Sequence, residues 1–446
     1  MIAYKGDILY APTPDRFTVI ENGYVLVGDD GKVVATGGSL EALLEATSRG
    51  DSDGVDVADQ SCTTDETDSI TIVDRTGSLI IPGFNDLHVH APQYPQAGLG
   101  FDYELLPWLE KYTFPTEAKY ADIDIADHWY RRFITHMWQV GTLRFSAFAT
   151  LHNEATLQLM QLCQESGLKP LIGKVNMDRN SPDYLVEDTD DSLSSTEQLI
   201  QQSRKLTPDI GFIITPRFVP STTPELMVGL GELAQRYDVP VQSHLDENRN
   251  EIDWVRELHP DIPTYTEVYE QYGLMPNNRT IMAHCIWLTD RERAILKDHG
   301  VWLAHCPQSN MNLTSGIMPV RRNLDYGLKV SIASDIAAGH EPNMNRHIVT
   351  AIEASKMKTF ETGYEHDRPL SLSEAFHMAT KVGGSFFGKV GSFEPGYDFD
   401  ALVITEDESL LELSPEERLE RFIYAGSSRD IAERYVSGRL IDKPFA

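Results

Sequence analysis

Basic residues are scarce in this chain. Its 446 residues include 38 Lys and Arg against 68 Asp and Glu, for a net charge of −30. Such a surface repels nucleic acid backbones and anionic lipid, so neither nucleic acid nor a membrane is expected as a partner. The charge says nothing about a small neutral ligand in a pocket. Long apolar runs are missing too: no stretch of about eighteen apolar residues occurs, so nothing reads as membrane-spanning. The opening residues, MIAYKGDILYAPTPDRF, lack a basic segment followed by an apolar run. A signal peptide is therefore not expected, and the expected compartment is the cytoplasm. Cysteine is rare and scattered, at Cys62, Cys163, Cys285 and Cys306, with no Cys-x-x-Cys pair. That spacing argues against a disulfide framework and gives little support to thiolate zinc binding. Cys285 and Cys306 lie in apolar, strand-like runs and read as small core residues.

What is present has ordinary globular composition, with 41% hydrophobic residues. The length suits two or three domains, or one large barrel with an appendage. To about residue 80, short strand-like runs alternate with turns, and DDGK is a hairpin signal. An acidic segment rich in Ser, Thr, Gly and Asp, near residues 48 to 70, reads as a surface insertion. From about residue 84 to 390, eight short apolar runs alternate with amphipathic stretches such as EATLQLMQLCQESG, TPELMVGLGELAQRYD and TDRERAILKDHG. The runs are FNDLHVH, GTLRFSAFAT, KPLIGKV, GFIITPR, VPVQSH, RTIMAH, VWLAHC and LKVSIASD. This alternation predicts an α/β protein built on a TIM-like (β/α)8 barrel. The tail returns to strands. We therefore expect a small β-sandwich domain assembled from both chain ends, residues 1–80 and 393–446, flanking a barrel at 81–392.

The polar residues fall in a pattern. His88 and His90 are two apart in FNDLHVH and so share one face of a strand. His244 and Glu247 follow the fifth run, His284 the sixth and Asp335 the eighth. In a barrel these are the C-terminal strand ends, where active sites form. Taken singly, each has a bland explanation: a strand-end histidine satisfied within the structure, one more acid in an acidic chain, a helix cap. Their joint placement points to a site. His88, His90, His244 and Asp335 make a three-nitrogen, one-oxygen set suited to one divalent ion, zinc first and iron second, which would activate a water. Glu247 can reach that water as a proton shuttle, and His284 can hold or polarise it or the substrate. Asp335 can bind metal and also take a proton. His305 reads as a structural or supporting residue, and His152 is not needed by the ligand set. Lys174 reads as support for the pocket or barrel interior. His128, His136, His259, His299, His347, His366 and His377 read as surface or packing residues.

With these residues in place, the chain resembles the amidohydrolase superfamily and, within it, the mononuclear zinc aminohydrolases that act on guanine. HAPQY, YTFPTE, GKVNMDRN, TPRF, QSHLDENRNEI, MAHCIWL, AHCPQSN and SDIAAG carry the likeness in order over most of the barrel. The resemblance implies one zinc per chain, water attack at the ring carbon bearing the exocyclic amine, and conversion of guanine to xanthine and ammonia. It implies that Gln93 and Arg217 bind the purine carbonyl edge, with Phe218 beside the ring, and that His284 and Asp335 steady the tetrahedral intermediate. It also implies a homodimer. Two-metal members carry a bridging lysine at the end of the fourth strand; ITPRF has none, which favours one metal. The competing expectations are a related enzyme acting on another purine, a pyrimidine or a triazine ring, an amide or ester hydrolase using the same water, and a metal-free scaffold.

Overall fold

The computed structural model describes residues 1–49, 70–206, 208–364, 367–406 and 410–445. Cys62, His366 and nearly all of the acidic insertion lie outside the described residues. Among the described residues, no helix is long and apolar enough to cross a membrane.

Strands from both chain ends form one group. β1 (Ile2–Thr13), β2 (Arg16–Val27), β3 (Val33–Gly37) and β4 (Thr71–Pro82) precede the central region; β15 (Ala401–Ile404), β16 (Ile431–Val436) and β17 (Arg439–Leu440) follow it. They join as one seven-stranded sheet in the order β17-β16-β15-β4-β1-β2-β3. The strands expected to build a small β-sandwich thus share one hydrogen-bonded order. The parallel pairing of β1 with β4 seats the N-terminal strands beside β15. The alternation of side chains splits the sheet into two faces. Ile8 and Ile80 join Tyr4, Phe399 and Tyr435 in one apolar cluster, where the Tyr4 and Phe399 rings stack at 4.4 Å. Leu9, Leu79, Ile81 and Leu402 on the other face merge with the main core.

The central strands are β5 (Phe84–His90), β6 (Thr142–Phe148), β7 (Leu171–Gly173), β8 (Val175–Asn176), β9 (Gly211–Phe212), β10 (Thr215–Pro216), β11 (Val241–Leu245), β12 (Thr280–His284), β13 (Trp302–His305) and β14 (Lys329–Ile332). All their pairings are parallel, in the ladders β5-β6-β7-β9, β8-β10 and β11-β12-β13-β14. Two sets of backbone bonds join the ladders into a ring. Gln242 donates to Ile214 O at 2.9 Å, and Asp335 N donates to His88 O at 2.9 Å. The ring has eight strand positions, because the third and fourth expected strands are each broken into two short pieces, β7/β8 and β9/β10. Here the backbones crowd. A Cβ on Gly173 would lie 1.8 Å from Thr215 Oγ1, so a glycine is required there. Helices Asn153–Ser166, Pro224–Tyr237 and Asp290–Asp298 cover the outside. The last begins with a capping box between Thr289 and Glu292.

The sheet is tied to the ring by a buried charge cluster. Arg144 of β6 donates to Asp400 and to Asp398, each at 2.6 Å.

Candidate active site

β5 carries His88 and His90, and their Nε2 atoms lie 3.2 Å apart. His244, on β11, brings its Nε2 to 3.2 Å from that of His90. Asp335, just past β14, places Oδ1 at 3.2 Å from His88 Nε2 and 3.4 Å from His90 Nε2. The structure brings these four residues together: strand alternation turns both β5 histidines inward, and the strand ends bring the others to meet them.

The histidines are oriented by their surroundings. His244 Nδ1 donates to the carbonyl of Arg217 at 2.6 Å, which leaves its Nε2 as an acceptor only. His88 and His90 are wedged against the Phe148 ring, with centroid separations of 5.0 and 4.6 Å. Burial, the leading cause, holds all three imidazoles well below their ordinary pKa, so they are neutral at pH 7. Neutral nitrogens and a carboxylate oxygen at this spacing fit a cation between them. Ligands bound at ~2.0–2.1 Å to a tetrahedral zinc are about 3.3 Å from one another. Two groups of donors among the described residues, His88–His90–His244 and His88–His284–Asp335, each keep their donor atoms within 4.8 Å of one another, and His88 belongs to both.

Glu247 and His284 stand on the open side of the cluster. His284 Nε2 is 3.4 Å from Glu247 Oε2 and 3.8 Å from Asp335 Oδ2. His284 Nδ1 donates to Asn310 Oδ1 at 2.9 Å, and Ser315 Oγ donates to Glu247 Oε1 at 3.1 Å. Burial first, and the Asp335 charge second, push the Glu247 carboxyl up to about 8. Burial lifts Asp335 to about 6. His284 (φ 71°) and Asp335 (φ 49°) both adopt the left-handed backbone region. Non-glycine residues are uncommon there, and such strain gathers at functional sites.

A cavity opens on this cluster. Its other walls are Gln93, Arg217 and Phe218, with apolar cover from Leu105, Trp108, Leu109 and Leu313. All of the expected substrate-binding residues therefore line the same space as the metal-type cluster. Sequence reasoning missed Glu117, which lies behind them. It receives Arg217 Nη1 at 2.7 Å, Arg217 Nη2 at 3.1 Å and Gln93 Nε2 at 2.9 Å. The signal was its place in YTFPTE, just after a single π-helical turn at Leu109–Thr113, a feature common at functional sites. Asn310 and Ser315 were missed as well. Asp86 was another: its Oδ1 accepts from His88 N at 3.2 Å and Ser334 N at 3.1 Å, stitching β5 to the end of β14.

The remaining candidates stay outside the cavity. His305 is buried at the end of β13 and does not line it, and His152 precedes helix Asn153–Ser166. Lys174 is buried in an ion pair with Glu187. His347 is bound through Nε2 to Glu341 O at 2.7 Å, while His128 is exposed. Cys285 and Cys306 are buried free thiols.

The amidohydrolase family model matches residues 79–441. A guanine deaminase of Dictyostelium discoideum is 36% identical, over 98% of this chain and 97% of that protein. A guanine deaminase of Escherichia coli K12 is also 36% identical, over 84% of this chain and 85% of the other. A crystal structure of guanine deaminase from C. acetobutylicum, with guanine bound in its active site, superposes with a TM-score of 0.89 at 46% identity, covering 99% of each chain.

Proposed function

The chain belongs to the amidohydrolase family, and from that premise we propose that it is a guanine aminohydrolase, releasing ammonia from guanine and leaving xanthine. The observation that carries this reading is that one cavity joins the histidine–carboxylate cluster to the Arg217–Gln93 wall. We read the ring of strands as a (β/α)8 barrel spanning residues 81–392, with the sheet contributed by 1–80 and 393–446, and the enzyme as a cytoplasmic homodimer.

His88, His90, His244 and Asp335 would hold one divalent ion, zinc by the character of the donors with iron second, and the ion when bound supplies a water acidified to a pKa of ~7. The protein groups do the rest. Guanine O6 accepts from Arg217, whose guanidinium carries five donors and gives two to Glu117. Phe218 flanks the ring, and Leu105, Trp108, Leu109 and Leu313 keep bulk water away. Glu247 enters as a neutral acid at pH 7 and protonates the ring nitrogen beside the attacked carbon, which makes that carbon more electrophilic. Water oxygen then bonds to that carbon. One water proton passes to the carboxylate of Asp335. His284, its Nδ1 held by Asn310, presents Nε2 as an acceptor and steadies the tetrahedral intermediate by taking a hydrogen bond from the newly added hydroxyl. Glu247, now a carboxylate, takes the remaining hydroxyl proton and delivers it to the amine; the C–N bond breaks, ammonia departs, and the proton held by Asp335 restores Glu247 to its acid form.

The test is ammonia release from guanine, adenine, cytosine and melamine, with metal content quantified on the same sample. Guanine is expected to be the preferred substrate. Release from another ring, with none from guanine at full metal occupancy, would overturn the reading. Metal-free protein that stays inert after zinc addition would point to the scaffold alternative.

A further inference from the structure

Gln93 and Arg217 are not free to choose how they address a ligand. Both are bonded to the carboxylate of Glu117, and all three side chains are buried, at 2%, 3% and 2% exposure for Gln93, Arg217 and Glu117. A carboxylate paired with a guanidinium only accepts hydrogen bonds. The Gln93 amide must therefore turn its NH2 toward Glu117, where Nε2 donates to Oε1 at 2.9 Å. That fixes the flip of the amide by chemistry, independently of how its two terminal atoms are assigned. Its carbonyl Oε1 is then left buried with no hydrogen-bond partner among the described residues. Arg217 uses Nη1 and Nη2 once each on Glu117, so donors remain.

We propose that Glu117 is a positioning residue that sets the polarity of the substrate-reading wall, presenting one donor from Arg217 beside one acceptor from Gln93. This rests on the purine reading of the cavity. The wall then matches a ring edge in which a carbonyl oxygen stands next to an N–H. Guanine and hypoxanthine offer that edge. Adenine offers its inverse, an amine beside an unprotonated ring nitrogen, and would set donor against donor and acceptor against acceptor. Buried polar groups left facing the wrong partner are the strongest basis for rejection available to a pocket. Glu117 touches neither the substrate nor the reacting atoms in this scheme; it acts through the two residues that do.

The experiment compares hypoxanthine and adenine, neither of which carries an amine at the reacting carbon, by calorimetric binding to the metal-loaded protein. Guanine turnover of the unaltered protein is measured separately, so failure of the deaminase reading and failure of this proposal are told apart. The unaltered protein is expected to prefer hypoxanthine. Glu117→Gln leaves an amide that can donate or accept, so Gln93 is released to flip. The hypoxanthine-to-adenine affinity ratio is expected to fall about tenfold or more, with metal stoichiometry unchanged. A merely structural role would weaken both ligands alike, and an unchanged ratio would overturn the proposal. If Glu117→Gln does not fold, Gln93→Met carries the test, because it removes the acceptor and leaves the Arg217–Glu117 pair. The ratio must again fall about tenfold or more, and an unchanged ratio means there is no acceptor for Glu117 to orient.

Discussion

Replacing Glu247 by Gln should separate chemistry from folding almost completely. The side chain is 3% exposed, accepts from Ser315 Oγ at 3.1 Å and faces His284 Nε2 at 3.4 Å. With its carboxyl pushed up to about 8, it is neutral at pH 7, so the substitution exchanges one neutral group for another of the same size. At pH 7 the variant should therefore fold at least as stably as the wild type, because the unfolded Glu ionises above its ordinary 4.5 and the amide does not. Turnover should not survive, because the amide cannot carry a proton between ring, water and amine. Positioned acid–base groups contribute about 10²–10⁴ in rate, or roughly 3–5 kcal/mol of barrier. The assay is ammonia release at saturating guanine with metal content matched. A variant that keeps more than about a tenth of the wild-type rate would show that Glu247 moves no proton in the rate-limiting steps. The same substitution has a signature in the metal-stripped protein. A carboxyl whose folded pKa lies above its ordinary 4.5 contributes stability that is complete below 4.5 and is lost as pH rises through about 8. The full difference corresponds to at most about 5 kcal/mol. Glu251 and Asp86, each raised by burial to about 7, share this slope. The readout is therefore the difference between wild type and variant in denaturant unfolding at pH 5 and pH 9. Glu247→Gln should lose less stability on going to pH 9, and parallel losses would contradict the assignment.

Other perturbations have equally definite outcomes. His88→Ala or His244→Ala should lower metal content measured by elemental analysis; stoichiometric zinc in either variant would show that the ligand set is wrong. Arg217→Ala should reduce kcat/KM for guanine by about 2–4 kcal/mol, roughly 30- to 1000-fold, while metal content is retained. An unchanged specificity constant would place recognition of the carbonyl elsewhere. Arg144→Leu leaves Asp398 and Asp400 without their guanidinium partner between sheet and ring, and should cost about 3–5 kcal/mol in unfolding experiments with kcat at 25 °C preserved. An unfolding midpoint equal to that of the wild type would mean the cluster is not what joins the two parts.

The strand-end residues were legible because two simple periodicities coincide. Alternation puts His88 and His90 on one face, and parallel strand–helix repetition brings His244, His284 and Asp335 to the same end. Nothing comparable marks Glu117. It is one acid among 68 Asp and Glu, and its meaning lies in contact with a residue one hundred positions away. Asn310 was hidden for the same reason, since its bond to His284 spans 26 positions. The broken strands were equally unreadable: the run KPLIGKV looks continuous, yet its ladder is interrupted at Lys174. The strand order of the sheet at the chain ends was not legible, because apolar alternation identifies faces and not which strand pairs with which. The parallel union of β1 and β4 is a long-range choice that a local pattern does not encode.

Position 217 serves two masters with different parts of one residue. Its side chain lines the cavity, whereas its main-chain oxygen, which every amino acid possesses, holds His244. Descent with modification can therefore exchange the side chain and acquire a new clientele of heterocycles while the hydrolytic centre is inherited untouched. A lineage exploring novel substrates would not have to rebuild its engine at each step.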